Sequence, residues 1–139
     1  MATFTKFYPF VENLAEGIID LDADNNYVCL TNTAPTTAMA LYSELTEITQ
    51  QNGYTTGGNK ANLTSSAQTS GTYKLVLADP AQWTATGGSI GPLRYAVLYQ
   101  NSGTKPLIGF WDYGSSITLA AGETFLVDFD ASTGVLQIV

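Results

Sequence analysis

The last third of the chain, residues 87–139, repeats one pattern: a short run in which apolar residues alternate with others, a turn that contains glycine, and a further run of the same kind. In one such run Phe125, Val127 and Phe129 fall on one face, while Asp128 and Asp130 fall on the other. Successive side chains of a β-strand point to opposite faces of its sheet. The pattern therefore predicts a mainly β fold, an antiparallel β-sandwich or small barrel of about six to eight strands.

The other runs of the second half support this interpretation. One strand is predicted to present Tyr73, Leu75 and Leu77 on one face, and the next presents a similar apolar face between residues 95 and 99. Residues 107–111 are apolar on both faces, as expected of a buried strand. The connections at 100–105, 120–122 and 131–134 are of turn length. Short connections predict that successive strands pair antiparallel.

The first half of the chain contains apolar residues at the spacing of one helix face. Phe10, Val11, Leu14 and Ile18 recur on one helix face, and a proline is tolerated in a first turn. A short N-terminal helix is therefore predicted at residues 8–18, with Gly17 favouring an early end. We further predict a strand at 27–31 and a second short helical stretch at 40–48.

Residues 51–71 are rich in Gly, Asn, Ser and Thr. That composition predicts a long flexible loop with one edge strand near residues 60–66. A chain of 139 residues is most simply one domain and is large enough to bury a core. We therefore expect a single β-rich domain over 1–139, with an N-terminal arm and helix at 1–19 and a flexible loop at 51–71.

Composition excludes several function classes. The chain has no histidine and one cysteine, so a conventional Ser-His-Asp triad cannot form. Its net charge is −7, and its five basic residues are scattered singly rather than clustered, which argues against nucleic-acid binding. Charged residues make up only 12% of the chain, and a surface with few ions is easily covered by another protein. The balance favours a protein-contact role.

Two motifs that suggest ligand binding fail in detail. Asp20, Asp22 and Asp24 have the spacing of a calcium loop, but Asn25 stands where the glycine is expected and Thr31 where the final acid is expected. A solvated acidic turn is the preferred interpretation, and cation binding there by another geometry stays open. The glycine-rich stretch 87–92 lacks the Lys-Ser/Thr of a phosphate loop and opens a strand, so it predicts a sharp bend.

The remaining polar candidates have structural explanations. Asp112, Asp128 and Asp130 could be imagined as a carboxylate pair for glycoside hydrolysis, yet strand alternation alone places Asp128 and Asp130 on the solvent face. Arg94, the sole arginine, is expected to pair with an acid such as Asp112 or Glu123. We predict that the protein is not an enzyme, and we predict no catalytic, cofactor or metal site.

Cysteine and tryptophan positions suggest which side chains are buried. Cys29 lies in the apolar run 27–30 and is expected to be a small buried residue, since no second cysteine offers a disulfide. Trp111 lies in an apolar strand and is expected in the core. Trp83 lies in a turn-rich polar stretch, which favours exposure or a contact between subunits. No secretory signal or membrane span is recognised, which favours synthesis in a cytoplasm.

Four strings of the sequence resemble those of small tailed-bacteriophage structural proteins. They are Leu30 to Pro35, Gly71 to Leu75, Gly87 to Tyr99 and Pro106 to Gly114, and the resemblance runs over nearly the whole chain. The resemblance implies a virion component that is made and assembled in the bacterial host cytoplasm and is present in many copies. It does not distinguish the head from the tail.

Among such components a capsid decoration, or cement, protein is favoured, with a tail-associated, fibre-associated or receptor-binding protein as the alternative. The implied partners are the major capsid protein and copies of this chain, with a trimer as the favoured homo-oligomer, and neither nucleic acid nor membrane. The expected contact elements are the N-terminal segment Ala2 to Phe10 and the loop Gly53 to Gly71. The candidate contact residues are Phe4, Phe7, Tyr8, Tyr54, Lys60 and Trp83.

Overall fold

A computed structural model describes residues 2–139 of the chain; Met1, the first residue of the predicted arm and domain, lies outside the described residues. The helices are α1 (Tyr8–Ala15) and a 3-10 turn (Tyr42–Glu44). The strands are β1 (Thr5–Lys6), β2 (Asn26–Thr31), β3 (Asn59–Lys60), β4 (Leu63–Thr69), β5 (Thr72–Leu77), β6 (Trp83–Thr84), β7 (Ile90–Gln100), β8 (Leu107–Leu119), β9 (Thr124–Phe125) and β10 (Leu136–Ile138).

Within residues 2–139 the strands form three antiparallel sheets. The largest has the order β1-β8-β7-β2-β3, the second has the order β10-β5-β4, and β6 pairs with β9. The predicted fold class is confirmed: the chain is mainly β, with sandwich-like sheets and a short helix near the N-terminus. The described residues form ten strands rather than the predicted six to eight, because β1, β3, β6 and β9, of two residues each, arise from pairing with distant strands.

The core lies around the central strands of the large sheet. Cys29 and Leu30 of β2 and Val97 and Leu98 of β7 are fully buried, and β2 pairs with β7 from Asn26↔Gln100 to Thr31↔Tyr95. Leu75 of β5 brings the second sheet onto the same core. A strand buried on both faces is apolar at successive positions, which explains the unbroken apolar runs in β2 and β7.

The N-terminal helix forms as predicted but ends before Ile18. Its last helical residue is Ala15, and Gly17 adopts a left-handed φ of +76°, a conformation that glycine reaches without strain. The helix buries Phe10 and leaves Val11 exposed, and Ile18, which follows the helix, is exposed as well.

The second helical prediction, at 40–48, is wrong except for the 3-10 turn. The Glu44 carboxylate accepts hydrogen bonds from the N–H groups of Ala40 and Leu41 and closes this single turn. The chain then becomes extended: the Ile48 N–H donates to the carbonyl of Leu30, and Thr31 bridges to Glu47. Packing against β2 therefore overrides the local helical spacing.

The prediction of one long loop at 51–71 is also wrong. This range contains β3 and all of β4, although the expected edge strand near residues 60–66 exists as β4. β4 and β5 form a hairpin whose two-residue turn, Ser70-Gly71, has φ values of +51° and +84°. Two positive φ values match the twist of the flanking strands, so the polar sequence forms a tight hairpin rather than a loop.

Strand partners differ from the predicted order at two of the three short connections. The connection at 100–105 joins the paired strands β7 and β8, as predicted. After the connection at 120–122, however, β9 pairs with β6, and after 131–134 β10 pairs with β5. The C-terminal segment therefore crosses between sheets instead of extending one meander.

The N-terminal arm is packed against the fold. Thr5 and Lys6 of β1 pair with Phe110 and Gly109 of β8, and the Phe7 N–H donates to the carbonyl of Ile108 at 3.1 Å. The arm therefore forms the edge strand of the large sheet.

Candidate functional site

A groove of about 310 Å³ opens between the middle of β8, at Trp111 and Tyr113, and the segment 125–135. We call it the β8 groove. Its walls include Phe4, Trp111 and Tyr113 on one side, and Phe125, Val127 and Phe129 on the other. The sequence alternation explains the second wall, because Phe125, Val127 and Phe129 are half-buried while the residues between them are exposed. The groove is thus an apolar cleft built from two distant parts of the chain.

Aromatic contacts hold this groove together. The Trp111 ring lies 5.2 Å from the Phe4 ring and 5.4 Å from the Phe129 ring, and Tyr113 meets Phe125 edge-on at 5.7 Å. Trp111 is therefore half-buried in a surface groove, which corrects its predicted place in the core. Tyr113 is 57% exposed and Leu126 is 48% exposed, so the groove presents large apolar side chains to solvent. Contiguous exposed apolar surface of this kind is typical of a contact site for another molecule.

The rim of the groove carries more negative than positive charge. Arg94 donates from Nε to Asp112 Oδ1 at 2.8 Å and from a terminal nitrogen to Oδ2 at 3.0 Å, which selects Asp112 over Glu123 as its partner. This bidentate bond, together with the Gly114 N–H, lowers the pKa of Asp112. Asp130 accepts hydrogen bonds from the N–H groups of Thr133 and Ser132, which lower its pKa as well. With the exposed Asp128 beside them, these groups make the rim acidic.

Three of the predicted contact residues remain accessible. Phe4 is half-buried in the wall of the β8 groove, and Tyr8 on α1 is 66% exposed. Lys60 is half-buried and donates to Asp24 at 3.0 Å. The structure does not bring these three residues into one site: Phe4 belongs to the groove, Tyr8 to the helix and Lys60 to the acidic turn.

The other three predicted contact residues are buried. Phe7 is 0% exposed, and Tyr54 and Trp83 are each 1% exposed. The expectation that Trp83 is exposed is wrong, because its ring lies between those of Tyr54 and Phe125, at 6.1 Å and 6.3 Å. The surrounding polar stretch gave no sign of this, since both neighbours come from other parts of the chain. These three side chains belong to the buried core of the chain.

Four of the six carboxylates considered for chemistry have hydrogen-bond partners within the fold. Asp24 is held by Lys60 and by the Leu63 N–H at 2.8 Å, and Asp20 accepts from the Asp22 N–H at 3.0 Å. Across residues 2–139, no group of three or more His, Cys, Asp or Glu side chains is arranged to hold a metal ion. Of the residues considered for glycoside hydrolysis, Asp112 is engaged by Arg94 and Asp130 by backbone N–H groups. The acidic turn therefore anchors β3 and β4.

Cys29 is fully buried, as predicted, and burial raises the pKa of its thiol well above the ordinary value. A nucleophilic cysteine needs the opposite shift and some exposure. The position is therefore a structural one.

A hydrogen-bonded cluster around Glu47 was not predicted from the sequence. Its carboxylate accepts from the hydroxyls of Tyr42 and Tyr54 and, at 2.7 Å, from the Gly57 N–H. The Tyr54 hydroxyl in turn accepts from the Leu30 N–H at 2.9 Å, and the Tyr99 hydroxyl donates to the Gly57 carbonyl at 2.7 Å. Burial is the main cause that raises the pKa of Tyr42, Tyr54 and Tyr99. The cluster fixes the segment 42–58 on β2 and β7.

We expect Glu47→Gln to lower the free energy of unfolding by about 1–2 kcal/mol, because hydrogen bonds to a carboxylate are stronger than those to a neutral amide. The exposed Glu12→Gln on α1 is the matched control, and we expect it to change stability by less than about 0.5 kcal/mol. Urea unfolding of both variants measures the difference. Equal midpoints for the two variants would show that the negative charge of Glu47 does not strengthen the cluster.

Comparison of the chain with models of protein families, with curated proteins and with solved structures found no match. Within residues 2–139 no helix has the length and apolar character needed to cross a membrane.

Proposed function

We propose that this chain is a structural protein of a bacteriophage virion, most specifically a capsid decoration protein that stabilises the mature head. The observation that carries the proposal is the β8 groove, an apolar aromatic cleft with exposed Tyr113 and Leu126. Such a cleft suits contact with another protein. The four strings of the sequence that resemble tailed-bacteriophage structural proteins support a virion as the assembly in which that contact occurs.

The major capsid protein is the proposed occupant of the groove. Since the rim is acidic, the matching segment of the shell carries apolar side chains for the groove and a lysine or arginine to face Asp128. Many copies that each bind only the mature lattice stabilise that lattice by mass action, even where a single contact is modest. The remaining partners are copies of this chain, and Tyr8 and Lys60 are further candidate contacts outside the groove.

The proposal is tested by co-sedimentation with mature heads that lack this protein, titrated to saturation. Decoration predicts saturation at hundreds of copies per head, in proportion to the number of capsomers. Tail- or fibre-association is the second candidate, favoured by the exposed ring of Tyr113, on which a host glycan could stack. Recovery of the protein in tail fractions, with no binding to heads, would establish this second candidate instead.

We expect Leu126→Asp to weaken head binding at least about 30-fold, because it buries an unpaired charge at a cost of about 2 kcal/mol or more. Ile18→Asp is the matched control: Ile18 is similarly exposed, at 54% against 48% for Leu126, but lies after α1 and outside the groove. Binding curves of both variants on the same heads measure the effect. Equal weakening of head binding by both variants would show that the groove is not the contact surface.

A further inference from the structure

The edge strand β4 is open and unusually unprotected. β4 is the last strand of the sheet β10-β5-β4, and no other strand of residues 2–139 pairs with its outer side. Natural proteins usually guard such an edge with charged residues, with proline or with a bulge. The sequence of β4 contains neither a charged residue nor a proline, and its one irregularity lies between Leu63 and Ser65. The regular part, Ser65 to Thr69, is therefore available for pairing.

The distribution of charge makes this edge the place where two copies can meet. All twelve acidic residues of the chain lie outside residues 48–78, a stretch that includes two of the five basic residues. Two molecules of net charge −7 repel each other over most of their surfaces. Along β4 that repulsion is reduced, because the strand itself carries no carboxylate. The acidic turn approaches the strand at its first half, where Asp24 accepts from the Leu63 N–H and Asp20 and Asp22 line a pocket with Ser66, and the second half carries no acid.

We propose that a second copy of this chain pairs with β4 edge to edge, so that the two β4 strands run antiparallel about a two-fold axis. The contact is self-complementary, as a two-fold interface requires. The inference does not depend on the proposed function, and it predicts a dimer where the sequence resemblance implies a trimer.

The hairpin fixes which groups face the second copy. Thr69 and Thr72 flank the two-residue turn and form a hydrogen-bonded pair, so Ser66 and Gln68 direct their N–H and C=O groups outward. With the axis at Ala67, Ser66 of each copy opposes Gln68 of the other, which gives about four backbone hydrogen bonds. The two Ala67 residues then meet at the closest approach of the strands, where a small side chain fits.

The first measurement is the molecular mass in solution by sedimentation equilibrium, from about 1 µM to about 1 mM, so that mass action populates even a weak dimer. Amide hydrogen exchange is measured over the same range. We expect a monomer–dimer equilibrium in which exchange at Ser66 and Gln68 slows at least tenfold as the dimer forms. A monomer throughout, a trimer, or a dimer in which these two amides still exchange fast would each overturn the inference.

Ala67→Glu tests the axis directly. Within one molecule the new carboxylate lies opposite Lys74 of β5, a favourable cross-strand pair that leaves the monomer folded. In the dimer it lies opposite the same carboxylate of the second copy, across the axis. We expect the dissociation constant to rise at least about fivefold. Thr36→Glu, at an exposed position outside β4, adds the same charge and is expected to leave dissociation within about twofold. Equal changes in both variants would place the contact elsewhere.

Discussion

Gly58→Ala is expected to lower the free energy of unfolding by about 4 kcal/mol, a large effect for one added methyl group. Gly58 adopts φ +75° immediately before β3, and a Cβ at this position would overlap the carbonyl oxygen of Val28 in the fully buried part of β2. Relief would require β3 to move away from β2, its neighbour in the large sheet. The change in the urea or thermal unfolding midpoint measures the loss.

Gly57→Ala separates crowding from backbone strain. Gly57 also has a positive φ, +97°, but the nearest atom to its Cβ would be the Tyr99 hydroxyl, at 3.3 Å. This variant carries the conformational strain without the backbone overlap, so we expect a smaller loss of about 2 kcal/mol. If both alanine variants lose the same free energy of unfolding, backbone strain alone explains the loss and the close approach of Gly58 to Val28 adds nothing.

Trp83→Ala is expected to cost about 3–5 kcal/mol, because the side chain is 1% exposed and its removal leaves a cavity between Tyr54 and Phe125. Trp83→Phe should cost less than half as much. It keeps most of the ring, and it removes a buried indole N–H that has no hydrogen-bond partner among residues 2–139. Unfolding of both variants in urea gives the two values.

Tyr113→Ala is the control that distinguishes a core residue from a contact residue. Tyr113 is 57% exposed in the β8 groove, so its removal should change stability by about 0.5 kcal/mol. The proposed capsid contact predicts that the same variant binds heads more weakly. The opposite outcome, a stable Trp83→Ala that fails to bind, would restore Trp83 as a contact residue.

The faces of the strands could be predicted from the sequence, whereas the partners of the strands could not. Alternation is a local property, so the inward positions Leu75 and Leu77 follow from neighbouring residues alone. Pairing depends on distant residues: nothing near Thr124 indicates that β9 pairs with β6 rather than β8. The same limit applies to the segment after Leu41, where contact with β2 replaces the predicted helix.

The candidate site was predicted only in part, for the same reason. The sequence indicated Phe4 and the alternation at 125–129, but the β8 groove exists because that segment lies over Trp111. The cluster at Glu47 has no recognisable spacing. Its one local signal is an acid between Leu45 and Ile48 in a chain with few charges. Burial of Trp83 had no local signal at all.

The strand β10 holds one wall of the β8 groove in place. Val135 lines the groove and donates its N–H to the Leu75 carbonyl at 2.8 Å, and Leu136, the next residue, pairs with Leu75 in β5. A ligand that binds only the complete groove therefore raises the free energy needed to detach this C-terminal strand. Thermodynamic reciprocity requires the converse. A change that detaches β10 in a fraction of the molecules lowers the affinity for that ligand in proportion to the fraction that keeps the complete groove, so the affinity of the groove depends partly on a strand that lies outside it.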